Sequence, residues 1–500
     1  MRTRRVLYIF AASALLFALT PIAGTKAPRR SLAAPLVKLG PQAIPADAPG
    51  PSYGLFGCQV LGVSPTPTCY DPYQVRHAYS IDTLISAGLT GKGKTIVIVD
   101  AFQSPNIMQQ LNFFDSFYGL PNLNGLGNPS DPSLGTFTQI APDGLTPFVP
   151  GDDNMTGWAE EISLDVLWAH AMAPGANIVL VLAKSNDDAD ILSATTYAVN
   201  HHLGDVVSQS FGENESCVDP KLLAQEHLLF INATLRGMTL VASAGDFGSG
   251  QPSCDGSVLV QAASSPASDP LVTGVGGTEL HAARYCLTAL GCDPTTNPAP
   301  GTYQGEVVWN EWADGIGATG GGFSVLVNKP FYQQGIVSGK QRGVPDVSYS
   351  AAVLHGLLTY LNIPGLTSPA GAWFLFGGTS AGSPQWAALV AIADQKTQYD
   401  LGFINAGLYR IGQFRSQYSA SFFDVTSGTN AVPSSIQVPP VPGFNAGPGW
   451  DATTGLGSPN ANQMVNNLIR FVSPVDGLIE IAESLLHPEG GSHHGHMGPH

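Results

Sequence analysis

The chain has 500 residues, which at ~100–200 residues per domain allows several domains or one large catalytic domain with appendages. Hydrophobic residues make up 44% of it and the mean hydropathy is +0.10, which excludes a wholly disordered chain. Charged residues are only 12% and mostly acidic, giving a net charge of −16, which argues against a nucleic-acid-binding protein.

The first 27 residues have the features of a secretory signal peptide. Arginines near the start precede an apolar run over residues 6–19, and small residues follow up to position 27. The apolar run is too short for a comfortable membrane span, although an uncleaved anchor is the alternative. Residues 28–68 are rich in Pro, Ala and Gly, and we interpret them as an N-terminal extension or short pro-segment, with regular structure expected from about Tyr70.

Six cysteines fit an exported chain, because an even number in such a protein favours disulfides. Zinc is not expected, because no two cysteines have the close spacing of a zinc site. Fifteen connectivities are possible, so pairing of sequence neighbours is an assumption. The neighbouring pairs are Cys58 with Cys69, Cys217 with Cys254, and Cys286 with Cys292.

Apolar, β-branched runs alternate with helical stretches through the first half of the chain. This alternation predicts an α/β fold in which helices cover both faces of a parallel sheet, with the active site at the carboxyl ends of the strands. Glycine- and proline-rich loops are expected to dominate residues 285–375. The predicted strands cover 95–102, 177–183, 205–211, 239–246 and 271–277, and the predicted helices 157–172, 190–202, 219–236 and 475–486.

A pair of acidic residues lies on the first of these helices. Glu161 and Asp165 are four residues apart and therefore share one helical face, next to apolar neighbours. Such a pair taken alone is usually solvated surface, but next to apolar residues the two carboxyls should titrate as a coupled pair. His170 and Asp100 offer a subtilisin-type alternative, but His170 lies nine residues after Glu161, on the opposite side of the helix, and is expected to be structural.

Ser380 lies in the segment FGGTSAGSPQW, after two glycines and before an amphipathic helix. This position suits a nucleophile that projects from a tight turn, although an ordinary N-cap serine would look the same. Residues 378–382 also match the G-x-S-x-G motif of esterases, which requires a histidine later in the chain. Every histidine after Ser380 lies in the terminal tail, so the esterase interpretation is weak.

At this point the chain resembles the sedolisin family of serine-carboxyl peptidases, which have a subtilisin-like fold. The resemblance extends over residues 69–470 in an ordered series of blocks, and that order makes it specific. The blocks are CYDPYQVRHAYSI (69–81), EISLD (161–165), APGA (173–176), SAGDFG (243–248), GGTSAGSP (377–384), FDVTSG (423–428) and AGPGWDATTGLGSP (446–459).

The resemblance implies four catalytic residues. Ser380 is the nucleophile, Glu161 its general base and Asp165 the residue that orients Glu161, since Glu160 lacks the four-residue spacing to Asp165. Asp246 corresponds to the family's oxyanion-hole aspartate. A glutamate is still partly ionised at about pH 4, where imidazole is protonated, and a neutral Asp246 would donate a hydrogen bond to the oxyanion. These roles predict activity at roughly pH 3–5.

The resemblance also implies one structural calcium ion, bound within residues 423–459. Without it, these Asp and Gly residues would be interpreted as turn formers. The proline-rich stretch 431–443 is a departure that would alter affinity. The implied ligands are the carboxylates of Asp424 and Asp451 and the carbonyl groups of Val425, Gly447 and Gly449.

We therefore expect a secreted, acid-active serine endopeptidase with a single large domain over residues 69–472 and a C-terminal tail over 473–500, in which the helix near 475–486 leads into a frayed, histidine-rich end. It should be a monomer that acts on proteins and peptides, with no nucleic-acid partner and no membrane association after signal removal. Family members usually have a long folded pro-domain, whereas the segment over residues 28–68 is much shorter than such a domain. The alternatives are a catalytically silent exported binding protein on the same scaffold and an esterase or lipase.

Overall fold

The computed structural model describes residues 43–49, 54–63, 67–125, 131 and 133–486. The predicted signal peptide and the histidine-rich end of the tail lie outside these residues. The described part of the chain belongs to one compact unit. No helix in it combines the length and the apolar character needed to cross a bilayer.

The strands and helices alternate through the first half of the chain, as the sequence predicts. The strands are β1 (Ala43–Pro45), β2 (Thr68–Tyr70), β3 (Thr95–Ala101), β4 (Phe137–Ile140), β5 (Asn177–Ala183), β6 (Val206–Gln209), β7 (Glu213–Asn214), β8 (Thr239–Ser243), β9 (Gly250–Pro252), β10 (Leu259–Gln261), β11 (Ser264–Ser265), β12 (Thr273–Ala282), β13 (Tyr303–Val308), β14 (Gly322–Asn328), β15 (Gln341–Val344), β16 (Val347–Ser350), β17 (His355–Leu361), β18 (Ala372–Phe376), β19 (Phe422–Phe423) and β20 (Ser458–Pro459). The α-helices are α1 (Pro72–Ala78), α2 (Ile81–Ser86), α3 (Ile107–Tyr118), α4 (Asp153–Met172), α5 (Asp188–Asn200), α6 (Pro220–Leu235), α7 (Gly382–Thr397), α8 (Asn405–Gln413), α9 (Arg415–Ser421), α10 (Ala461–Phe471) and α11 (Asp476–Leu486).

The main sheet has eight strands in the order β13-β12-β8-β6-β3-β5-β4, with β16 also paired to β12. All of its neighbouring strands are parallel except β12 and β13. Residues 96–99 of β3 are completely buried, and because successive side chains point to opposite faces, both faces of the sheet are covered. The predicted α/β class with a parallel central sheet is confirmed.

A second, four-stranded sheet has the order β1-β18-β17-β2, and the sequence analysis missed it. Its strands come from the N-terminal extension and from the region expected to consist of loops. The expectation that regular structure begins near Tyr70 is therefore wrong, because β1 pairs antiparallel with β18. Strands β13 to β18 lie among glycine and proline turns, and this loop-like composition hid them in the sequence.

Disulfides join Cys58 to Cys69, Cys217 to Cys254 and Cys286 to Cys292, so the assumed pairing of neighbours is confirmed. The S–S distances are 1.98, 2.05 and 1.93 Å, and there are no other cysteines.

Candidate active site

Ser380 lies in the connection between the second sheet and a buried helix. Strand β18 ends at Phe376, a single 3-10 turn covers Thr379–Ala381, and α7 begins at Gly382. Gly378 has φ = +99°, a backbone conformation that side chains with a Cβ rarely adopt, so glycine is needed to make this sharp entry. Ser380 is 1% exposed, and its hydroxyl forms no hydrogen bond to another described residue.

Asp246 reaches this turn from the main sheet. Strand β8 ends at Ser243, three residues earlier than the predicted boundary, and leaves Asp246 in the following loop. Its Oδ1 accepts hydrogen bonds from the backbone N–H and the Oγ1 of Thr379, both at 2.7 Å. Its Oδ2 lies over Gly378, where a Cβ would come within 2.6 Å. The structure thus places Asp246 against Gly378 and Thr379, the two residues that precede Ser380.

Burial decides the protonation state of Asp246. The residue is 3% exposed, and loss of hydration raises its pKa from 3.8 to about 6, while the two hydrogen bonds from Thr379 work in the opposite direction. Below about pH 6 this carboxyl is therefore a neutral acid. Since Thr379 uses only Oδ1, a proton on Oδ2 would be directed away from Thr379.

Thr379 is a functional residue that the sequence analysis missed. Its Oγ1 donates to Asp246 and accepts a hydrogen bond from the N–H of Gly245 at 3.0 Å, so one side chain joins two loops. The signal was its position between Gly378 and Ser380, but the partner of its hydroxyl lies 133 residues away in the chain. Only the tertiary structure identifies that partner.

Glu161 and Asp165 lie on α4, which begins after an N-cap at Asp152 and is apolar around most of its circumference. Both carboxyl groups are 0% exposed, so the interpretation of the pair as solvated surface is wrong. Glu160 is partly exposed, which agrees with the choice of Glu161. Helix α4 packs against α7 and against the turn that carries Ser380, so the acidic helix and the serine turn are neighbours in space.

His170 has a structural environment. It is 0% exposed in the last turn of α4, where its Nε2 lies 3.2 Å from a carboxylate oxygen of Asp115 and 2.9 Å from the carbonyl oxygen of Pro121. Its position at the C-terminal end of α4 agrees with the expectation of a structural histidine. Its acidic partner is on α3, whereas Asp100, the acid of the subtilisin-type alternative, is on β3. The histidines needed by the esterase interpretation lie outside the described residues.

Backbone N–H groups of the loop over residues 447–451 donate hydrogen bonds to both aspartates of the implied calcium site. Both carboxylate oxygens of Asp424 accept from the N–H of Gly449, each at 3.1 Å. Oδ2 of Asp451 accepts from the N–H of Gly447, also at 3.1 Å. The two carboxylates therefore converge on one short loop.

The donor set in this loop is of the kind that calcium prefers. Calcium is bound by carboxylate and carbonyl oxygens. Among the described residues, no backbone hydrogen bond is made to the carbonyl groups of Val425, Gly447 or Gly449. The residues present therefore fit a calcium ion in chemistry.

The fold and this cluster define an α/β protein in which a serine lies on a tight turn, with one buried carboxyl group bonded to that turn and two more on the helix packed against it. The chain is 32% identical over 420 residues to kumamolisin of Bacillus sp. strain MN-32, which covers 82% of this chain and 65% of kumamolisin. It is 32% identical over 390 residues to sedolisin of Pseudomonas sp. strain 101, which covers 75% of this chain and 57% of sedolisin. No family model matches the chain.

A solved structure is also similar to this fold. It is that of Pseudomonas sedolisin, a serine-carboxyl proteinase, complexed with two molecules of pseudo-iodotyrostatin, with a TM-score of 0.61, 28% identity and coverage of 79% of this chain and 97% of that one. The chain belongs to the sedolisin family, as its sequence motifs indicate. It spans less than two thirds of the length of kumamolisin and of sedolisin.

Proposed function

We propose that this protein is a secreted serine-carboxyl peptidase that cleaves proteins and peptides in acid. The observation that carries the proposal is the buried Asp246 carboxyl, which is held by Thr379 beside Ser380 and is neutral below about pH 6. A neutral carboxyl can donate a hydrogen bond to an oxyanion, whereas an ionised one would repel it.

In the proposed mechanism Ser380 Oγ forms a bond to the carbonyl carbon of the substrate while its proton passes to the Glu161 carboxylate. Asp165, one helical turn further along α4, orients and supports Glu161. The oxyanion accepts a hydrogen bond from Oδ2 of Asp246. When the tetrahedral intermediate collapses, Glu161 gives the proton to the departing amine, and a water molecule then releases the acyl group by the same route.

Buried carboxyl groups elsewhere in the fold also support the proposal that the protein acts at acidic pH. Burial is the first cause of a raised pKa in each of them, so they are neutral in acid and must ionise inside the fold as the pH rises. Each has a pKa of about 8: Glu213, Glu226, Asp394 and Glu480.

The decisive experiment compares Ser380→Ala and Glu161→Gln with Glu160→Gln in casein cleavage at pH 4. Glu160 is the matched control, because it adjoins Glu161 but is partly exposed. We expect the first two variants to lose at least ~10³-fold in kcat/KM and the control to stay close to wild type. Near-wild-type cleavage by either of the first two would refute the assigned roles.

The cleavage mode and the alternative functions are tested on the same preparation. We propose internal cleavage, and mass spectra of the products would then contain fragments of varied length rather than a ladder of tripeptides. Hydrolysis of short nitrophenyl esters at pH 8 without peptidase activity at pH 4 would favour an esterase. A folded protein without either activity would favour a binding protein.

We also propose that Asp424 and Asp451, with the carbonyl groups of Val425, Gly447 and Gly449, bind one structural calcium ion. The ion would neutralise two carboxylates that converge on one loop and would stabilise the folded state by mass action. We expect Ca²⁺ to raise the Tm of the wild type and of Asp143→Asn, an exposed control, but not that of Asp424→Asn. An equal rise in all three proteins would contradict the assignment.

Export is proposed from the predicted signal peptide and is supported by the three disulfides, which persist in oxidising compartments. N-terminal sequencing of the mature protein should begin close to residue 28. A mature chain that begins at Met1 would favour the uncleaved anchor. We propose a monomer, which light scattering would test.

A further inference from the structure

Two histidines and a glutamate meet at a place that the proposed peptidase mechanism does not use. Glu279 Oε1 lies 3.1 Å from His281 Nε2 and 3.3 Å from His355 Nδ1. The two imidazole rings have centroids 4.8 Å apart and an interplanar angle of 60°. One ligand atom from each of the three residues lies within 4.8 Å of the other two.

The two sheets bring these residues together. Glu279 and His281 are two residues apart on β12, so they point to the same face of the main sheet. The residue opposite His281 in β13 is Gly305, which leaves no side chain in the way. His355 is the first residue of β17, in the second sheet, where it is in register with Thr68 of β2. The cluster therefore connects the two sheets.

The spacing of the ligand atoms suits a small divalent ion. Zn²⁺ binds imidazole nitrogen and carboxylate oxygen at about 2.0–2.2 Å in a tetrahedron, which places ligand atoms about 3.3 Å from one another. The two separations that involve Glu279, 3.1 and 3.3 Å, match this value. The third can close by rotation of the His281 side chain, which is 43% exposed.

We propose that Glu279, His281 and His355 form a binding site for a divalent transition-metal ion of the Zn²⁺ class, with the fourth position taken by water. Imidazole nitrogen distinguishes this site from the all-oxygen calcium site proposed above. A bound ion would link β12 to β17 and so stabilise the folded protein.

The charged surroundings of the cluster are mixed. Glu306 interacts electrostatically with His281, and Glu311 interacts with Glu279. Arg284 disfavours a positive charge at His355. The carboxylate of Glu279, shared between both imidazoles, is therefore the main source of attraction for a cation.

The test is a calorimetric titration of the full-length protein with Zn²⁺ at pH 7.5, in a buffer with excess Ca²⁺ to saturate the proposed oxygen site. In every sample alanine replaces the tail histidines, which would otherwise bind metal themselves: His487, His493, His494, His496 and His500. The matched control is His77→Ala, because His77 is also a partly exposed histidine paired with a carboxylate, that of Asp82.

We expect one Zn²⁺ per chain in the parent and in His77→Ala. Loss of a ligand in His281→Ala or His355→Gln should raise the Kd by about tenfold or more. Co²⁺ bound to the parent should show the intense visible absorption of a tetrahedral site, and His281→Ala should lose it. His281 is exposed enough for its variant to fold, and circular dichroism checks the His355 variant. Equal Zn²⁺ affinity in the parent and His281→Ala, or no Zn²⁺ binding by the parent, would overturn the proposal.

Discussion

Replacement of Asp246 by asparagine keeps the shape of the proposed oxyanion donor but removes its titratable proton, so the two contributions to activity can be measured separately. In the wild type, Oδ1 of Asp246 accepts both hydrogen bonds from Thr379, at 2.7 Å each, and leaves Oδ2 as the group that carries a proton. Asparagine can keep Oδ1 in the same role and place its amide nitrogen where Oδ2 lies. The amide donates a hydrogen bond at every pH, whereas the carboxyl does so only when it is protonated.

The size of the expected change in kcat/KM follows from the pKa of about 6 for Asp246. Almost all Asp246 is protonated at pH 4, but only about a tenth at pH 7, so this group alone should lower kcat/KM about tenfold over that interval. Asp246→Asn should retain activity within about tenfold of wild type at pH 4 and lose less of it between pH 5 and pH 7. Asp246→Ala lacks the donor and should lose ~10²–10³-fold at pH 4, which is about 3–4 kcal/mol. Its deficit relative to wild type should shrink about tenfold by pH 7, where the wild-type carboxyl is mostly ionised.

The assay is kcat/KM on a quenched fluorescent peptide from pH 3 to pH 7, with circular dichroism at each pH to confirm that the variants are folded. The acid limb should be the same in wild type and Asp246→Asn, because Glu161 is unchanged. If Asp246→Asn falls as steeply above pH 5 as wild type, the titration of Asp246 does not limit activity. If it is as inactive as Asp246→Ala at pH 4, the group is not a donor.

Three further predictions concern the turn, the core and stability. Gly378→Ala should lower kcat/KM at least ~10²-fold with little change in KM, because a Cβ at this position would lie 2.6 Å from Asp246 Oδ2. A near-normal kcat would contradict this prediction. Arg342→Met should lower the free energy of unfolding in urea by about 3–5 kcal/mol, because it leaves the buried carboxylate of Asp346 without its partner at 2.6 Å; a loss under 1 kcal/mol would show that the ion pair is dispensable. A carboxyl group whose pKa is raised by folding stabilises the folded protein at a pH below its pKa in the unfolded chain. This stabilisation is lost as the pH rises through the pKa of the folded state. The Tm should therefore fall by about 5 °C or more between pH 5 and pH 8. Glu226→Gln should reduce that fall, and an unchanged Tm slope would refute its role.

The sequence predicted five of the eight strands of the main sheet, β3, β5, β6, β8 and β12, because each contains an apolar run. It missed β4, β13 and β16, which have four to six residues. It could not predict the second sheet, because β18 has five residues and pairs with β1, which lies more than three hundred positions earlier in the chain. Loop composition therefore outweighed the apolar residues of β17 and β18. Strand pairing over such distances depends on tertiary packing, which no local pattern contains.

The candidate site was predictable in its residue types but not in its connections. Glu161 and Ser380 stood out by their motifs, and the burial of Glu161 followed only from the packing of α4. The hydrogen bonds between Thr379 and Asp246 depend on loops that are distant in the chain. The cluster of Glu279, His281 and His355 was missed for the same reason, since His355 lay in a region expected to be loops.

The proposed nucleophile and the proposed oxyanion donor are attached to different sheets. Ser380 follows β18 of the small sheet, and Asp246 follows β8 of the large one. Any sliding of one sheet over the other would change the distance between the two groups, and the hydrogen bonds of Thr379 with Asp246 and Gly245 oppose such sliding. The alignment of the proposed catalytic groups thus depends on the contacts between the two sheets, and slow relative motion of the sheets would appear first as loss of turnover rather than as unfolding.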